Sequence, residues 1–111
     1  GVVAVVALTG DDGIQHHDGA LLIAENLINA RDTSEVMIQS FSSSSTPPSN
    51  VIVRDNWLAG SDLPLRIENE CLGRGCQATG NVITRGHWGY YDLTGADVKT
   101  GNVDSVTGGP I

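Results

Sequence analysis

Apolar residues in this chain alternate with polar ones in short runs, and the same run recurs along the sequence. Each copy contains alternating apolar positions, then an Asn, then further apolar residues. Alternation of this kind predicts β-strands with one buried face, whereas a convincing helical period is missing. The four copies, the last of them weaker, occupy residues 20–30, 50–60, 77–86 and 98–108.

A single asparagine fixes the register of each copy: Asn26, Asn56, Asn81 and Asn102. The positions five and three residues before it, and two residues after it, carry apolar side chains in the first three copies, and we expect them to point inward. They are Leu21, Ile23, Ile28, Val51, Val53, Leu58, Cys76, Ala78 and Ile83. The fourth copy breaks this pattern with Asp97 and Lys99, as expected of a last repeat that faces water, and has Asp104 two residues after its Asn.

A further short strand is predicted in each interval between copies, bounded by Gly, Ser, Pro or Asp. These strands are GIQ (13–15), EVMIQS (35–40), LPLRIEN (63–69) and GYYDL (89–93). The best helical alternative is 20–30, where Ile23, Leu27 and Ala30 would share a face. We predict a strand there because the segments in register with it contain valine pairs and glycines.

Repeats of roughly 20 to 30 residues cannot bury an apolar face alone, so they must stack on one another. Asn and Gly tolerate the unusual backbone of a tight bend. Asn side chains stacked about 4.8 Å apart can also hydrogen-bond along the stack. We therefore predict an all-β parallel solenoid of about four coils with an asparagine ladder, in a single domain over 1–111. The segment 41–49 (FSSSSTPPS) is predicted to be an exposed loop.

Composition narrows the class of partner. The 111 residues allow one domain, and 13 acidic against 6 basic side chains give a net charge of −7. We expect no nucleic-acid binding, because no basic stripe is present, and no docking on an anionic membrane. The apolar segment Gly1–Leu8 is shorter than the roughly 20 residues that span a bilayer, and we expect a buried strand there.

Several segments resemble a known group of proteins. DDGIQ (11–15), NVIVRDN (50–56), TGNVIT (79–84) and GNVDSVTGGPI (101–111) are similar to the C-terminal coils of pectate-lyase-like right-handed parallel β-helix proteins. That superfamily includes polysaccharide lyases, polygalacturonase-type hydrolases and phage tailspikes. The resemblance covers about 9–111 and implies a shallow lateral groove that holds a saccharide chain. Its enzymes have more coils, so this chain would be a fragment, a minimal version or one arm of an assembly.

Candidate catalysis lies in the polar cluster at 11–18. DDG resembles the paired aspartates of polygalacturonase-like hydrolases, which makes Asp11 and Asp12 candidate acid and base, with His16 or His17 assisting. The family's histidine motif comes about one coil later, and neighbouring strand residues point to opposite faces. We therefore favour a solvated loop without competent catalysis. We expect no cofactor or metal; Ca²⁺ held by Asp12, Asp18 and Glu35 is the alternative, without a calcium-loop motif.

An aromatic cluster offers a candidate saccharide surface: Arg85, His87, Trp88, Tyr90 and Tyr91. Exposed Trp and Tyr rings stack on sugar rings, and Arg can pair with a uronic acid carboxylate. The alternative is a hydrophobic lid or a subunit contact. Trp57, which follows a ladder Asn, is expected in the core or in a lateral contact.

The two cysteines enclose a glycine-rich loop, CLGRGC. A local disulfide between Cys71 and Cys76 would suit an extracellular or virion-surface protein. The inward position of Cys76 in the repeat instead favours a buried thiol. The sequence leaves both open.

The leading hypothesis is a non-catalytic β-helix module that binds polysaccharide or a partner in an extracellular, phage tail or virion assembly. One alternative is a polysaccharide lyase or glycoside hydrolase acting on acidic polysaccharide. Another is a purely structural virion protein. Because a stack of sheets leaves unpaired strand edges at its ends, we expect homo-oligomers or assembly with other proteins.

Overall fold

The computed structural model describes residues 14–16, 19–29, 36–38, 48–60 and 62–111. These residues are organised in short β-strands, and the helical structure among them is one 3₁₀ turn, Asn69–Cys71. Three sheets of four strands account for all the strands, and every strand pairs in parallel with its neighbours. The predicted all-β parallel class is therefore confirmed.

Each sheet takes one strand from each of four successive stretches of chain. The first sheet contains β1 (Ile14–His16), β4 (Val36–Ile38), β7 (Leu65–Ile67) and β10 (Tyr91–Asp92). The second contains β2 (Gly19–Ala24), β5 (Pro48–Arg54), β8 (Gln77–Thr79) and β11 (Val98–Thr100). The third contains β3 (Leu27–Asn29), β6 (Trp57–Ala59), β9 (Val82–Ile83) and β12 (Val103–Asp104).

The chain visits the three sheets in the same order four times. Every repeat predicted from the sequence holds one strand of the second sheet and one of the third, joined at the asparagine. The strands predicted in the intervals form the first sheet. Strand structure at 19–24 and 27–29 confirms the preference for strand over helix in that segment. The predicted loop 41–49 is too long, since β5 already begins at Pro48.

One hydrophobic core joins side chains from all three sheets. Registered positions supply its layers; in the third sheet, for example, Ile28 pairs with Leu58, and Leu58 with Ile83. All the inward positions predicted from the first three copies are buried except Leu21, which is half-buried against this core. Burial of these β-branched and leucine side chains is the main favourable contribution to folding.

The four asparagines lie one above another and are hydrogen-bonded in a continuous chain. Asn26 Nδ2 donates to Asn56 Oδ1 at 3.1 Å, Asn56 Nδ2 to Asn81 Oδ1 at 3.0 Å, and Asn81 Nδ2 to Asn102 Oδ1 at 2.9 Å. In Asn26, Asn56 and Asn81 the backbone N–H donates to the same Oδ1 acceptor as the side-chain amide of that residue. The ladder thus links all four passages of the chain through buried amides.

The bend itself differs from the prediction. The residue with positive φ is the one before each asparagine: Glu25, Asp55, Gly80 and Gly101, with φ of 60°, 57°, 66° and 71°. The asparagines avoid the left-handed region, because their amides must reach along the ladder. They stabilise the bend through side-chain hydrogen bonds, while the preceding residue makes the turn.

The last passage through the three sheets ends with charged residues and a folded-back tail. Lys99, at an inward position, is exposed, as predicted for a repeat that faces water. Asp104, in contrast, is buried and accepts hydrogen bonds from the amides of Val106 and Thr107 at 2.7 and 2.8 Å. The tail returns to pair Pro110 with Val103 and covers the edge of β12.

The ladder can be tested by removing one amide. We expect Asn56→Ala to lower the free energy of unfolding by about 3 kcal/mol, because it leaves the Asn26 donors and the Ile23 carbonyl without partners in the core. Urea unfolding measures the loss. Asn69→Ala, at an exposed asparagine, is the control and should change stability by less than about 0.5 kcal/mol. Equal effects of the two substitutions would contradict a stabilising ladder.

Candidate functional site

A tight hairpin follows β9 and presents two aromatic side chains to solvent. Gly86 and Gly89 pair as an antiparallel bridge, with the Gly86 N–H donating to the Gly89 carbonyl at 2.8 Å. The Trp88 N–H donates to the Asp62 carbonyl at 2.8 Å, which fixes the hairpin to the preceding repeat. At the tip, the Trp88 side chain is 61% exposed and His87 is also exposed. We call His87 and Trp88 the hairpin tip.

The predicted aromatic cluster divides into two pairs with different surroundings. The rings of His87 and Trp88 have centroids 6.5 Å apart and are tilted by 60°. Arg85 lies with its guanidinium carbon 5.7 Å from the centroid of the Tyr90 ring, a cation–π arrangement. Tyr90 and Tyr91 are half-buried and pack against the core. The tip therefore offers the open aromatic surface, whereas the tyrosines belong to the edge of the core.

Tyr90 also has a structural hydrogen bond. Its hydroxyl donates to the Asp104 carboxylate, which in turn accepts from the backbone amides of the C-terminal tail. The hydrogen bond to Asp104 is the main cause of a raised pKa of Tyr90, with desolvation and the negative charge of Asp104 adding to it. The same hydrogen bond lowers the pKa of Asp104, assisted by the Thr107 amide. This network ties the hairpin to the tail.

A second surface lies at the bend between the second and third sheets. It is an open groove of about 380 Å³ lined by Glu25, Asn26, Leu27, Asp55, Asn56, Trp57, Gly80 and Val82. We call it the corner groove. Its floor includes ladder asparagines, and its walls are the residues immediately before and after them.

The apolar wall of the corner groove follows from strand alternation. Ile28 and Leu58 point into the core, so the residues before them, Leu27 and Trp57, point outward. Parallel register places Leu27 beside Trp57 and Trp57 beside Val82. Leu27 is 66% and Trp57 45% exposed. Of the two places expected for Trp57, the core is therefore excluded and a lateral contact stays a prediction. The alternation in the sequence already contained the signal.

The acidic wall comes from the left-handed corner residues. Glu25 and Asp55 occupy equivalent places, with their N–H groups donating to the carbonyls of Arg54 and Thr79 at 3.3 and 3.1 Å. Arg54 Nη1 pairs with Asp55 Oδ2 at 3.0 Å. A Cβ on Gly80 would stand 2.5 Å from Asp55 Oδ1, so the glycine leaves room for that carboxylate. Two carboxylates therefore border the row of apolar side chains.

The cysteines are joined in a disulfide, and the alternative of a buried free thiol is wrong. Cys76 is fully buried, as its place in the repeat predicts, and is bonded as well. Asp97 holds the loop between the cysteines by accepting from the Gly73 and Gly75 amides at 2.8 and 2.7 Å. These two hydrogen bonds lower the pKa of Asp97. The loop is thus fixed both covalently and by a carboxylate.

The catalytic candidates Asp11, Asp12 and His17 lie outside the described residues, as do Asp18 and Glu35. His16 belongs to β1, whose backbone alone is described. Within the described ranges, no group of three or more His, Cys, Asp or Glu could hold a metal ion. The same part of the chain has no helix long and apolar enough to cross a membrane.

Comparison with protein-family models, with curated proteins and with solved structures finds no match to this chain. The resemblance to pectate-lyase-like proteins therefore stays a prediction from the sequence. The hairpin tip and the corner groove are the two surfaces whose geometry suits binding.

The Tyr90–Asp104 contact predicts an alkaline titration. In a Tyr91→Phe background Tyr90 is the sole tyrosine, and ultraviolet absorbance should show its phenolate forming above the ordinary pKa of about 10. Asp104→Asn removes the negative charge and the carboxylate acceptor, so the pKa should fall toward that value. Glu70→Gln, which removes a carboxylate without contact to Tyr90, should leave the curve unchanged. An unchanged curve in Asp104→Asn would count against the contact.

The Asp97 contact predicts an acid-dependent contribution to stability. Because the folded pKa is lowered, the contribution is complete above the unfolded pKa of about 3.9 and disappears as the pH falls through the folded value. Urea unfolding of wild type and Asp97→Asn should therefore differ by a constant amount near neutrality, and the difference should shrink below about pH 4. Asp62→Asn is the control, and a difference independent of pH at Asp97 would refute the assignment.

Proposed function

We propose that the chain is a right-handed parallel β-helix module that binds polysaccharide through its hairpin tip, without catalysis of its own. The winding is supported by three parallel sheets that the chain visits in a fixed order four times. It is supported further by hydrogen bonds that join equivalent asparagines of successive repeats. In this arrangement each repeat is one coil, and loops such as the hairpin project from the side of the stack.

The exposure of Trp88 carries the saccharide proposal. A side chain of this size that is 61% exposed loses much hydrophobic stabilisation unless a ligand covers it. The indole face suits the apolar face of a sugar ring, and its N–H and the His87 ring can hydrogen-bond sugar hydroxyls. Backbone hydrogen bonds at Gly86, Trp88 and Gly89 hold the hairpin backbone in place before binding, which lowers the entropic cost.

Arg85 favours acidic saccharides at this site. Its exposed guanidinium lies over the Tyr90 ring and can form a charge-assisted pair with a uronic acid carboxylate. The chain as a whole carries a net charge of −7, which repels a polyanion at long range. We therefore expect modest affinity for uronates that strengthens with added salt at low ionic strength, when long-range repulsion is screened.

The proposed setting is an extracellular or virion-surface assembly. The Cys71–Cys76 disulfide supports it, because such bonds persist mainly in oxidising compartments. The exposed edge strand β11 supports assembly with copies or partners, since its outer backbone groups are available for pairing. Catalysis through Asp11, Asp12 and His17 is the competing proposal. New reducing ends or unsaturated products from uronate polymers would establish it over the binding module.

The binding proposal predicts the effect of one truncation. Trp88→Ala should weaken binding of uronate or neutral oligosaccharides roughly tenfold, equivalent to about 1.4 kcal/mol, because the stacking face is lost. Titration calorimetry measures the change. Leu72→Ala, which removes another exposed apolar side chain of the chain, is the matched control. Wild-type affinity in Trp88→Ala, or no saccharide binding by the wild type, would refute the proposal.

A further inference from the structure

The corner groove is a surface that saccharide binding at the hairpin tip does not use. It combines a row of two exposed apolar side chains and one half-buried one with carboxylates along one border. Leu27, Trp57 and Val82 come from three successive repeats and are held in line by sheet register. An ordered apolar row of this kind on a highly charged small protein is a candidate contact surface.

The row of side chains favours a polypeptide occupant over a saccharide. Leu27 and Val82 are aliphatic and have no aromatic face on which a sugar ring could stack. Aliphatic side chains of a partner pack well against them and against the indole of Trp57. The apolar half of the groove therefore suits the apolar side chains of another protein segment.

The negative charge at the border of the groove favours an occupant that carries basic side chains. Glu25 and Asp55 stand at the corner immediately before the apolar row, and the chain carries more than twice as many acidic as basic side chains. A basic side chain next to an apolar one would place its charge at this border while the apolar group covers the row. Electrostatic complementarity of this kind speeds association and fixes register.

We propose that the corner groove binds a polypeptide segment in which apolar residues are flanked by Lys or Arg. Arg54 already pairs with Asp55 at 3.0 Å, and both side chains are substantially exposed. An incoming basic residue exchanges with Arg54 at little cost, because exposed ion pairs are weak. A second copy of this chain fits this acidic groove less well than a basic segment does, since its 13 acidic side chains outnumber its 6 basic ones.

Trp57 supplies a local signal for the test. The chain has two tryptophans, so in a Trp88→Phe background fluorescence reports Trp57 alone. The probe is an extended synthetic peptide of alternating Leu and Lys. We expect a saturable blue shift of the Trp57 emission, at least tenfold weaker binding of the Leu–Glu counterpart, and weaker binding of the basic peptide at high salt. A pectic oligosaccharide should leave the emission unchanged.

Paired variants separate the groove from general attraction of a basic peptide to an acidic protein. The double substitution Glu25→Gln and Asp55→Asn should weaken binding of the basic peptide roughly tenfold. Glu70→Gln with Asp62→Asn removes the same charge from residues that do not line the groove, and should weaken it less than about twofold. Leu27→Ser should weaken it as well, through loss of apolar contact.

One variant should bind more tightly, an effect that misfolding cannot imitate. Arg54→Gln removes the internal competitor for Asp55 and should strengthen binding of the basic peptide about threefold. Equal binding of basic and acidic peptides, equal loss in the two double variants, or weaker binding in Arg54→Gln would overturn the proposal. So would a Trp57 shift caused by the oligosaccharide or by concentration-dependent self-association. Loss of saccharide binding in Trp88→Phe with the Trp57 response intact would separate the two sites.

Discussion

The rest of the structure depends on the satisfaction of four buried amides. An asparagine side chain has two donor hydrogens and an oxygen that accepts two hydrogen bonds. In Asn56 all of these are used: Oδ1 accepts from the backbone and side chain of Asn26, and Nδ2 donates to Ile23 and Asn81. Asn81 repeats the pattern with Val53 and Asn102. Because an unpartnered buried amide is costly, this arrangement permits one register between successive repeats.

The ladder also determines what the bend shows to solvent. Since the amide at each ladder position is buried and hydrogen-bonded along the ladder, the residue before it takes the left-handed turn and the residue after it begins an outward-facing position. Asn26 and Asn56 therefore have an exposed residue on each side, and Asn81 has a half-buried one on each side. Acidic side chains before Asn26 and Asn56, and apolar side chains after them, produce the walls of the corner groove. The buried network thus positions the surface that we propose as a docking site.

Sequence analysis predicted most of the fold because its evidence is periodic. The asparagines, the inward positions and the interval strands all follow from alternation and repetition. The interval strands form one parallel sheet, and the asparagines lie at the bends between the other two. Features that depend on which neighbour a side chain meets were not predicted. The left-handed turn was assigned to the asparagine rather than to Asp55, because residue preference alone does not reveal where the amide points. Trp57 was expected in the core or in a lateral contact, and alternation with buried Leu58 excludes the core.

The candidate sites were less predictable than the sheets, because the contacts that fix loops produce no periodic pattern in the sequence. Five residues near the hairpin formed one cluster in the sequence, yet the Tyr90 hydroxyl is committed to Asp104 and the C-terminal tail. Trp88 has no such commitment among the described contacts, and its exposure separates it from the tyrosines. Hydrogen bonding to Asp104 and packing against the core give Tyr90 a structural role. The exposed indole of Trp88, on a hydrogen-bonded hairpin, has no such role, and for that reason the proposed saccharide function depends on Trp88 more than on the number of aromatic residues around it.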